Sequence, residues 1–173
     1  DHRDLHSFPT RRSSDLALLW SPWKNHKGVK IRGDYVIDVC AAPGGKSTHI
    51  AELLQGSGHV LARDLTDTKV GMIEENIDRH GLNNMSAEVW DATVPDDDSI
   101  GKADILICDL PCSGLGVLGR KKDIRYKMTP ESVDELVALQ RQILDTVHTY
   151  VKPNGVLVYS TCTIDEAENC IVL

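Results

Sequence analysis

The stretch YVIDVCAAPGGKS, residues 35–47, decides the fold of this 173-residue chain. Its first part, residues 35–40, is a short β-branched run that predicts a buried strand, and the Pro-Gly-Gly turn ends it. Residues 46–55 then predict a helix, with Gly56 suited to its C-terminus. A buried strand that turns on glycines into a helix is typical of the first half of a βαβ unit.

The same alternation of strand and helix continues along the rest of the chain. Thr129 and Pro130 form a favourable helix start, because Thr caps free amide groups and Pro suits the first turn. The sequence PNG at 153–155 predicts a turn. Further strands are predicted at 59–63, 87–90, 103–108 and 156–160, and helices at 66–80 and 129–151. This order predicts an α/β fold with a mainly parallel sheet, helices on both faces, and ligands at the carboxyl ends of the strands.

Composition and charge restrict the class of protein. The apolar runs are of strand length, and no basic segment precedes an apolar stretch, so neither a membrane span nor a secretory signal is predicted. The five cysteines form no C-x-x-C pair, which favours reduced thiols in a cytoplasmic protein over a disulfide framework or a metal site. With a net charge of −7, any binding of nucleic acid is expected to come from a local basic patch or from parts of the protein outside this sequence.

The two ends of the sequence lack the pattern of the middle. The chain begins with Asp1 rather than Met, and it ends at Leu173 within a predicted helix. Residues 1–16 are polar, have no periodicity and resemble the translation of a sequencing adapter, so we expect a non-native tail; a disordered natural tail is the alternative. Residues 17–32 stay unassigned, as a remnant of an upstream segment. We therefore expect one folded domain over residues 33–173.

The first turn and the second strand carry the features of a nucleotide-type cofactor site. Glycines let the backbone approach a ligand closely, and the helix behind them offers free amide groups. Asp64 ends the second strand, where an acid accepts hydrogen bonds from ribose hydroxyls in Rossmann-like folds. The loop lacks G-x-G-x-x-G and the P-loop spacing, which argues against NAD and ATP. On their own, these features fit ordinary turn chemistry equally well.

Two cysteines follow neighbouring strands. Cys112 comes after the fourth predicted strand and Cys162 after the fifth, so we expect both thiols in one crevice at the edge of the sheet. An isolated buried cysteine is more often a small apolar residue, and we interpret Cys108 and Cys170 in that way. The paired placement of Cys112 and Cys162 favours a reactive function.

Three motifs together carry a family resemblance. The string DVCAAPGGKS at 38–47, DLPCSG at 109–114 and STCT at 160–163 resemble the RNA 5-methylcytosine methyltransferases of the Sun/Fmu and nucleolar-proliferation-antigen type. The resemblance extends over residues 33–173, and GRKKDIRY at 119–126 and LQRQIL at 139–144 look most like the bacterial enzymes that modify small-subunit ribosomal RNA. It implies a Rossmann-like methyltransferase catalytic domain, here without the C-terminal strands of the family.

The resemblance also implies a cofactor, S-adenosylmethionine, and residues that bind it. Asp64 would contact the ribose and Asp91 would lie near the adenine, whereas Asp109 would lie beside both the cofactor and the target base. The methionine end of the cofactor would be lined by Cys40, Ala41, Ala42, Pro43, Gly44, Gly45 and Lys46.

The chemistry at carbon 5 of cytosine needs a nucleophile and a base. A thiolate must add at carbon 6 before carbon 5 can attack a methyl sulfonium, and the proton at carbon 5 must then be removed. The resemblance assigns the nucleophile to Cys162 and assistance in product release to Cys112. DNA cytosine methyltransferases use the Pro-Cys position instead, which would make Cys112 the nucleophile and leave Thr161-Cys162 unexplained. A non-catalytic RNA-binding assembly module is the third alternative, and the intact catalytic residues count against it.

One dense basic stretch follows the Pro-Cys motif. It comprises Arg120, Lys121, Lys122, Arg125 and Lys127. We expect the first four of these to contact RNA phosphates beside a target base that is single-stranded or flipped out; a solvated loop is the alternative. By resemblance, the RNA partner is small-subunit ribosomal RNA.

Overall fold

The computed structural model describes residues 34–117 and 129–169. Within these segments the strands are β1 (Tyr35–Asp38), β2 (His59–Asp64), β3 (Met85–Val89), β4 (Ala103–Asp109) and β5 (Val151–Ser160). The α-helices are α1 (Gly45–Leu54), α2 (Asp67–His80), α3 (Pro130–Val147) and α4 (Glu166–Asn169). Single turns of 3₁₀-helix lie at Leu115–Val117 and His148–Tyr150.

The described strands form one parallel sheet in the order β3-β2-β1-β4-β5. The chain starts in the middle at β1, builds outward to β3, and then crosses to the other side of β1 to add β4 and β5. The strand order therefore reverses between β1 and β4. In open α/β sheets ligands bind in the crevice outside the carboxyl ends of the strands at such a point.

Helices cover the two faces of the sheet, as the sequence predicts. Because successive side chains of a strand point to opposite faces, each strand contributes to two apolar clusters. The cluster on the face covered by α1 and α2 contains Val36, Ile50, Ala51, Leu54, Val60, Ile73 and Ile105. The cluster on the other face, which α3 covers, contains Ile37, Leu61, Leu106, Ile143, Val147 and Tyr150. The predicted doubly covered α/β fold is confirmed.

The ends of several elements differ from the predictions. β1 ends at Asp38 rather than at residue 40, because residues 39 and 40 already form a turn. β3 begins two residues before the predicted start, because its pairing with β2 already includes Met85 opposite Val60. The start of β3 thus follows from its partner strand, which local sequence does not reveal.

The predicted turn at 153–155 lies inside β5. The register with β4 jumps from the pair Ala103–Val151 to the pair Ile105–Val156, so the intervening residues form a bulge. Asn154 takes a left-handed conformation there, with φ of 67°. The preceding helix α3 ends at Val147 rather than at residue 151, because the chain tightens into the 3₁₀ turn before β5.

The predictions for residues 1–16 and 17–32 and for Cys170 fall outside the described residues. Among the described helices, none is long and apolar enough to cross a membrane.

Candidate active site

The loop between β1 and α1 is fastened to its neighbours by hydrogen bonds. The amide of Ala42 donates to Oδ2 of Asp64 over 2.9 Å, and Asn76 of α2 donates to the carbonyl of Pro43 over 2.7 Å. Gly44 precedes α1 with φ of +102°, a left-handed conformation that glycine adopts without strain. The loop predicted to line a cofactor is therefore a fixed turn against β2 and α2.

Asp38 ends β1 directly beneath this loop and is fully buried. Its Oδ2 accepts a hydrogen bond of 2.5 Å from Ser47, whereas Oδ1 has no hydrogen-bond partner within the part of the chain that the structure describes. Burial raises the pKa of Asp38 to about 6, against the hydrogen bond from Ser47, which lowers it. A buried carboxylate oxygen without a partner is costly and suits a site that takes up a donor or a cation. The sequence predictions did not include Asp38, although its position at a strand end was a signal.

Asp64 lies at the end of β2, as predicted, and only 4% of the residue is exposed. Its Oδ1 accepts hydrogen bonds from the amide of Leu65 and from the ammonium of Lys69, at 2.8 and 2.9 Å. With the bond from Ala42, three donors surround this carboxylate. Asp64 therefore holds the loop in place in addition to any contact with a ligand.

Asp91 follows β3 and is exposed. Hydrogen bonds from the hydroxyl and the amide of Thr93, at 2.7 and 2.9 Å, hold the pKa of Asp91 below its usual value. The preceding residue, Trp90, donates its amide to the carbonyl of Asp64 over 3.0 Å. Asp64 and Asp91 thus follow adjacent strands at the same edge of the sheet, as the predicted cofactor site requires.

Lys46 and Asp109 meet across the point where the strand order reverses. The ammonium of Lys46, in the first turn of α1, forms an ion pair with Oδ2 of Asp109 at the end of β4. Ser160, at the end of β5, donates to Oδ1 of Asp109 over 2.8 Å. These contacts join the cofactor loop to the two strands that carry the cysteines.

The two predicted cysteines lie together. The Sγ atoms of Cys112 and Cys162 are 3.0 Å apart, and the amide of Cys162 donates to Sγ of Cys112 over 3.1 Å. Its hydrogen bond with Cys162 and its burial both raise the pKa of Cys112, and either thiol can be the donor of the hydrogen bond between the two sulfur atoms. With Cys112 as the donor, this bond would stabilise negative charge on the exposed Cys162.

Two other cysteines are in different environments. Cys108 is completely buried in β4, and burial raises its pKa, which agrees with an inert apolar role. Cys40 lies in the first turn, where burial and the neighbouring Asp38 raise its pKa to about 12. Both thiols therefore stay protonated at neutral pH.

A close backbone approach fixes the segment that carries Cys162. The amide of Gly116 donates to the carbonyl of Cys162 over 3.1 Å. A Cβ atom on Gly116 would lie 2.8 Å from that carbonyl oxygen. Only glycine permits this contact without a shift of the backbone.

Two buried polar side chains beneath Cys112 were missed by the sequence predictions. Gln140 of α3 donates to the carbonyl of Pro111 over 2.8 Å, and Glu168 of α4 accepts from the amide of Ser113 over 2.8 Å. Local sequence gave no signal for their burial, because a polar side chain enters a core only when a distant partner satisfies it.

The predicted RNA contacts Arg120, Lys121, Lys122 and Arg125 lie outside the described residues. Within residues 34–117 and 129–169, no group of three or more His, Cys, Asp or Glu side chains could hold a metal ion.

Comparisons with known proteins agree in one family. Residues 30–173 match the family described as 16S rRNA methyltransferase RsmB/F. The probable ribosomal RNA small subunit methyltransferase B of Bacillus subtilis is 45% identical over 135 residues, which cover 78% of this chain and 30% of that protein. The ribosomal RNA small subunit methyltransferase F of Cronobacter sakazakii is 38% identical over 134 residues, which cover 78% of this chain and 28% of that protein.

A solved structure described as NSun6 from Pyrococcus horikoshii with SFG is similar in both sequence and fold. It is 39% identical with a TM-score of 0.72, and the match covers 79% of this chain and 34% of that chain. The present chain thus spans about a third of the length of the relatives that it matches.

Proposed function

Because this chain belongs to the 16S rRNA methyltransferase RsmB/F family, we propose that it is the catalytic core of an enzyme that methylates carbon 5 of a cytosine in RNA. The proposed substrate is 16S ribosomal RNA, the reaction proceeds through a covalent cysteine adduct, and the site of action is the cytoplasm. One observation carries the proposal: two thiols lie 3.0 Å apart, just after the carboxyl ends of β4 and β5, and β4 pairs with β1, which leads into the cofactor loop.

The cofactor is S-adenosylmethionine, as the family and the relative crystallised with SFG indicate. The residues present fit it. The carboxylates of Asp38, Asp64 and Asp109 end three neighbouring strands, and such a concentration of negative charge suits a sulfonium cation and an amino group. When bound, the cofactor supplies an electrophilic methyl group.

In the proposed site, the loop from Cys40 to Lys46 would hold the methionine end of the cofactor. Asp64 would accept hydrogen bonds from the ribose hydroxyls, and Asp91 would lie beside the adenine. The ring of Trp90, which stacks with the guanidinium of Arg63 at 5.0 Å, fixes the start of the Asp91 loop. These roles use the strand-end positions that bind cofactors in Rossmann-like folds.

The exposed thiol of Cys162 acts as the nucleophile. As a thiolate it donates an electron pair to carbon 6 of cytosine, which breaks the carbon 5–carbon 6 double bond and makes carbon 5 electron-rich. After carbon 5 has gained its methyl group, its proton leaves to a base, the double bond re-forms, and the thiolate departs from carbon 6. With the Cys112 thiol as donor, the hydrogen bond between the two sulfur atoms supports a negative charge on Cys162 at both the first and the last of these stages.

Asp109 would hold the target base in this mechanism. Its carboxylate can accept a hydrogen bond from the exocyclic amino group of cytosine, and Lys46 and Ser160 fix its orientation. The basic residues Arg120, Lys121, Lys122 and Arg125 remain our proposed contacts to RNA phosphates.

Covalent trapping on a denaturing gel tests the proposal. Cys112→Ala and Cys162→Ala variants of the protein that carries this chain are each mixed with S-adenosylmethionine and small-subunit ribosomal RNA, with Cys108→Ala as the matched control. We expect Cys112→Ala to accumulate an RNA adduct, because release is slowed, and Cys162→Ala to form none. The reverse pattern would make Cys112 the nucleophile, and adducts with DNA alone would favour the DNA methyltransferase alternative.

A further inference from the structure

Both peptide groups that flank Cys112 are held by buried side chains. The carbonyl of Pro111, in the peptide group before Cys112, accepts a hydrogen bond of 2.8 Å from Nε2 of Gln140. The amide of Ser113, in the peptide group after Cys112, donates a hydrogen bond of 2.8 Å to Oε1 of Glu168. The two backbone torsions of Cys112 lie between these two peptide groups. Fixing both groups therefore fixes the direction of the Cα–Cβ bond that carries the thiol, and we call these two side chains the Gln140–Glu168 clamp.

The clamp is a closed and fully buried unit. Gln140 and Glu168 both have 0% exposure, and Nε2 of Gln140 also donates to Oε1 of Glu168 over 3.0 Å. The hydroxyl of Tyr159 donates to Oε1 of Gln140 and to the carbonyl of Glu168, at 3.2 and 2.6 Å. A buried network of this kind is rigid when every member is satisfied.

Glu168 carries its charge in the interior because donors surround it. Burial by itself raises the pKa of a carboxyl group, but the bonds from the hydroxyl and amide of Ser113, from Thr163 and from Gln140 outweigh burial and hold the pKa of Glu168 below its usual value. The hydroxyl of Ser113 donates to Oε2 over 2.5 Å. An ionised carboxylate is therefore the acceptor that the segment 111–113 requires.

The same unit reaches the segment of the second thiol. The hydroxyls of Ser113 and Thr163 are 2.8 Å apart, and Thr163 directly follows Cys162. Glu168 is thus joined to the amide of Ser113 after Cys112 and, through the hydroxyl of Ser113, to the side chain of Thr163 after Cys162. A helix with a purely structural role would need only apolar contacts with the sheet. In α4, by contrast, the carboxylate of Glu168 forms hydrogen bonds with the segment that carries Cys112.

We propose that Glu168, together with Gln140, is a positioning residue that holds the Cys112 thiol against Cys162 for the release stage of the reaction. The inference rests on the proposed function, in which Cys112 assists release of the methylated base. Glu168 does not touch the reacting atoms; it acts by fixing the segment that carries Cys112. Its loss should therefore reproduce the behaviour of Cys112→Ala although Cys112 is still present.

The test compares four variants of the protein that carries this chain: Glu168→Ala, Glu168→Gln, Gln140→Leu, and Glu166→Ala as the matched control. Glu166 is an exposed carboxylate on the same short helix. The measurements are the melting temperature, the affinity for S-adenosylmethionine, the turnover number, and the fraction of enzyme trapped as an RNA adduct on a denaturing gel.

We expect Glu168→Ala to lower turnover by about tenfold or more, since a misplacement of the order of 1 Å costs up to about a hundredfold. The fraction of enzyme trapped as an RNA adduct should increase as turnover falls. The affinity for the cofactor should change less than about twofold. Glu168→Gln should trap less adduct than Glu168→Ala, because its amide oxygen can still accept from Ser113. Gln140→Leu should also trap adduct, and Glu166→Ala should match the unmodified protein.

A fall in turnover without any rise in adduct would overturn the inference, as would an unchanged turnover in Glu168→Ala. If Glu168→Ala does not fold, the adduct trapped by Gln140→Leu tests the inference instead. This variant removes the donor to the carbonyl of Pro111 and leaves Glu168 bonded to Ser113. Failure of the proposed function has a different signature, since Cys112→Ala itself would then trap no adduct. If Cys112→Ala accumulates the RNA adduct but Glu168→Ala and Gln140→Leu do not, only the present inference is wrong and the proposed function stands.

Discussion

The backbone amide of Ala42 donates a hydrogen bond of 2.9 Å to Oδ2 of Asp64, so the first loop and the acid at the end of β2 form one unit. The loop is thereby held in shape by the residue that is proposed to contact the ribose. Asn76 holds the other side of the same loop through the carbonyl of Pro43. A change at Asp64 should therefore affect the cofactor twice, through the lost contact and through the loosened loop.

We predict that Asp64→Ala lowers the affinity for S-adenosylmethionine by at least about tenfold, which corresponds to about 1.4 kcal/mol. The free energy of unfolding should fall by about 1 kcal/mol as well, because the partly buried amide of Ala42 loses its acceptor. Isothermal titration and urea unfolding measure the two effects. Glu74→Ala, which removes an exposed carboxylate from α2, is the control and should change neither.

The buried Asp38 predicts how stability depends on pH. Its pKa is raised from 3.8 to about 6, so between these values the folded protein holds a proton that the unfolded chain has released. The stabilisation from this proton is fully present below the unfolded pKa of 3.8 and is lost as the pH rises through about 6. From pH 5 to pH 8 the contribution of Asp38 to the free energy of unfolding should fall by an amount on the order of 1 kcal/mol.

Asp38→Asn removes this titration and retains an oxygen that can accept from Ser47. The decrease in unfolding free energy between pH 5 and pH 8, measured with urea in the absence of cofactor, should be smaller in this variant than in the unmodified protein, by an amount on the order of 1 kcal/mol. Asp97→Asn, at an exposed position, serves as the control. Equal pH dependence in Asp38→Asn and in the unmodified protein would show that Asp38 is not protonated at pH 5.

The sequence predicted the elements whose signals are local. The strand and turn at 35–45, the strand-end position of Asp64, and the shared crevice of Cys112 and Cys162 all follow from patterns within a few residues and from the geometry of parallel sheets. The bulge in β5 was not predictable in the same way. PNG at 153–155 has the composition of a turn, and only the pairing of Val151 with Ala103 places it within a strand.

The clamp beneath Cys112 marks the other limit of prediction from sequence. Gln140 and Glu168 are polar residues that usually lie at the surface, and they are 28 positions apart. Their burial depends on the segment 111–113, which is distant from both in sequence. A buried polar side chain is determined by its partners, so it becomes visible only when the tertiary structure brings those partners together.

The basic stretch after the Pro-Cys motif predicts a dependence on salt. Lys121→Glu and Lys122→Glu together should weaken RNA binding and make the slope of log K against log salt shallower, because each phosphate contact on a single strand contributes about 0.7 to that slope. Filter binding between 50 and about 200 mM salt measures both quantities. Lys102→Glu, at an exposed lysine before β4, makes the same change of net charge as either single variant, Lys121→Glu or Lys122→Glu, and is the control for each of them. An affinity equal to that of the control would remove these residues from the RNA interface.

Gly116 predicts a defect that should be confined to the nucleophile. In Gly116→Ala the new Cβ would lie 2.8 Å from the carbonyl oxygen of Cys162, so the backbone that carries this thiol must move. Adduct formation in a single-turnover experiment should slow by about tenfold to a hundredfold, whereas the affinity for S-adenosylmethionine should stay within about twofold.

The matched control for this change is Gly71→Ala in α2. A Cβ on Gly71 meets nothing within 4 Å, and alanine has the better helix propensity, so this variant should be as active as the unmodified protein and slightly more stable. The comparison separates the effect of an added methyl group from the effect of its place beside Cys162. If Gly116→Ala forms the adduct as fast as Gly71→Ala, the position of the Cys162 carbonyl does not control its thiol, and the rigid placement that we infer for the nucleophile is wrong.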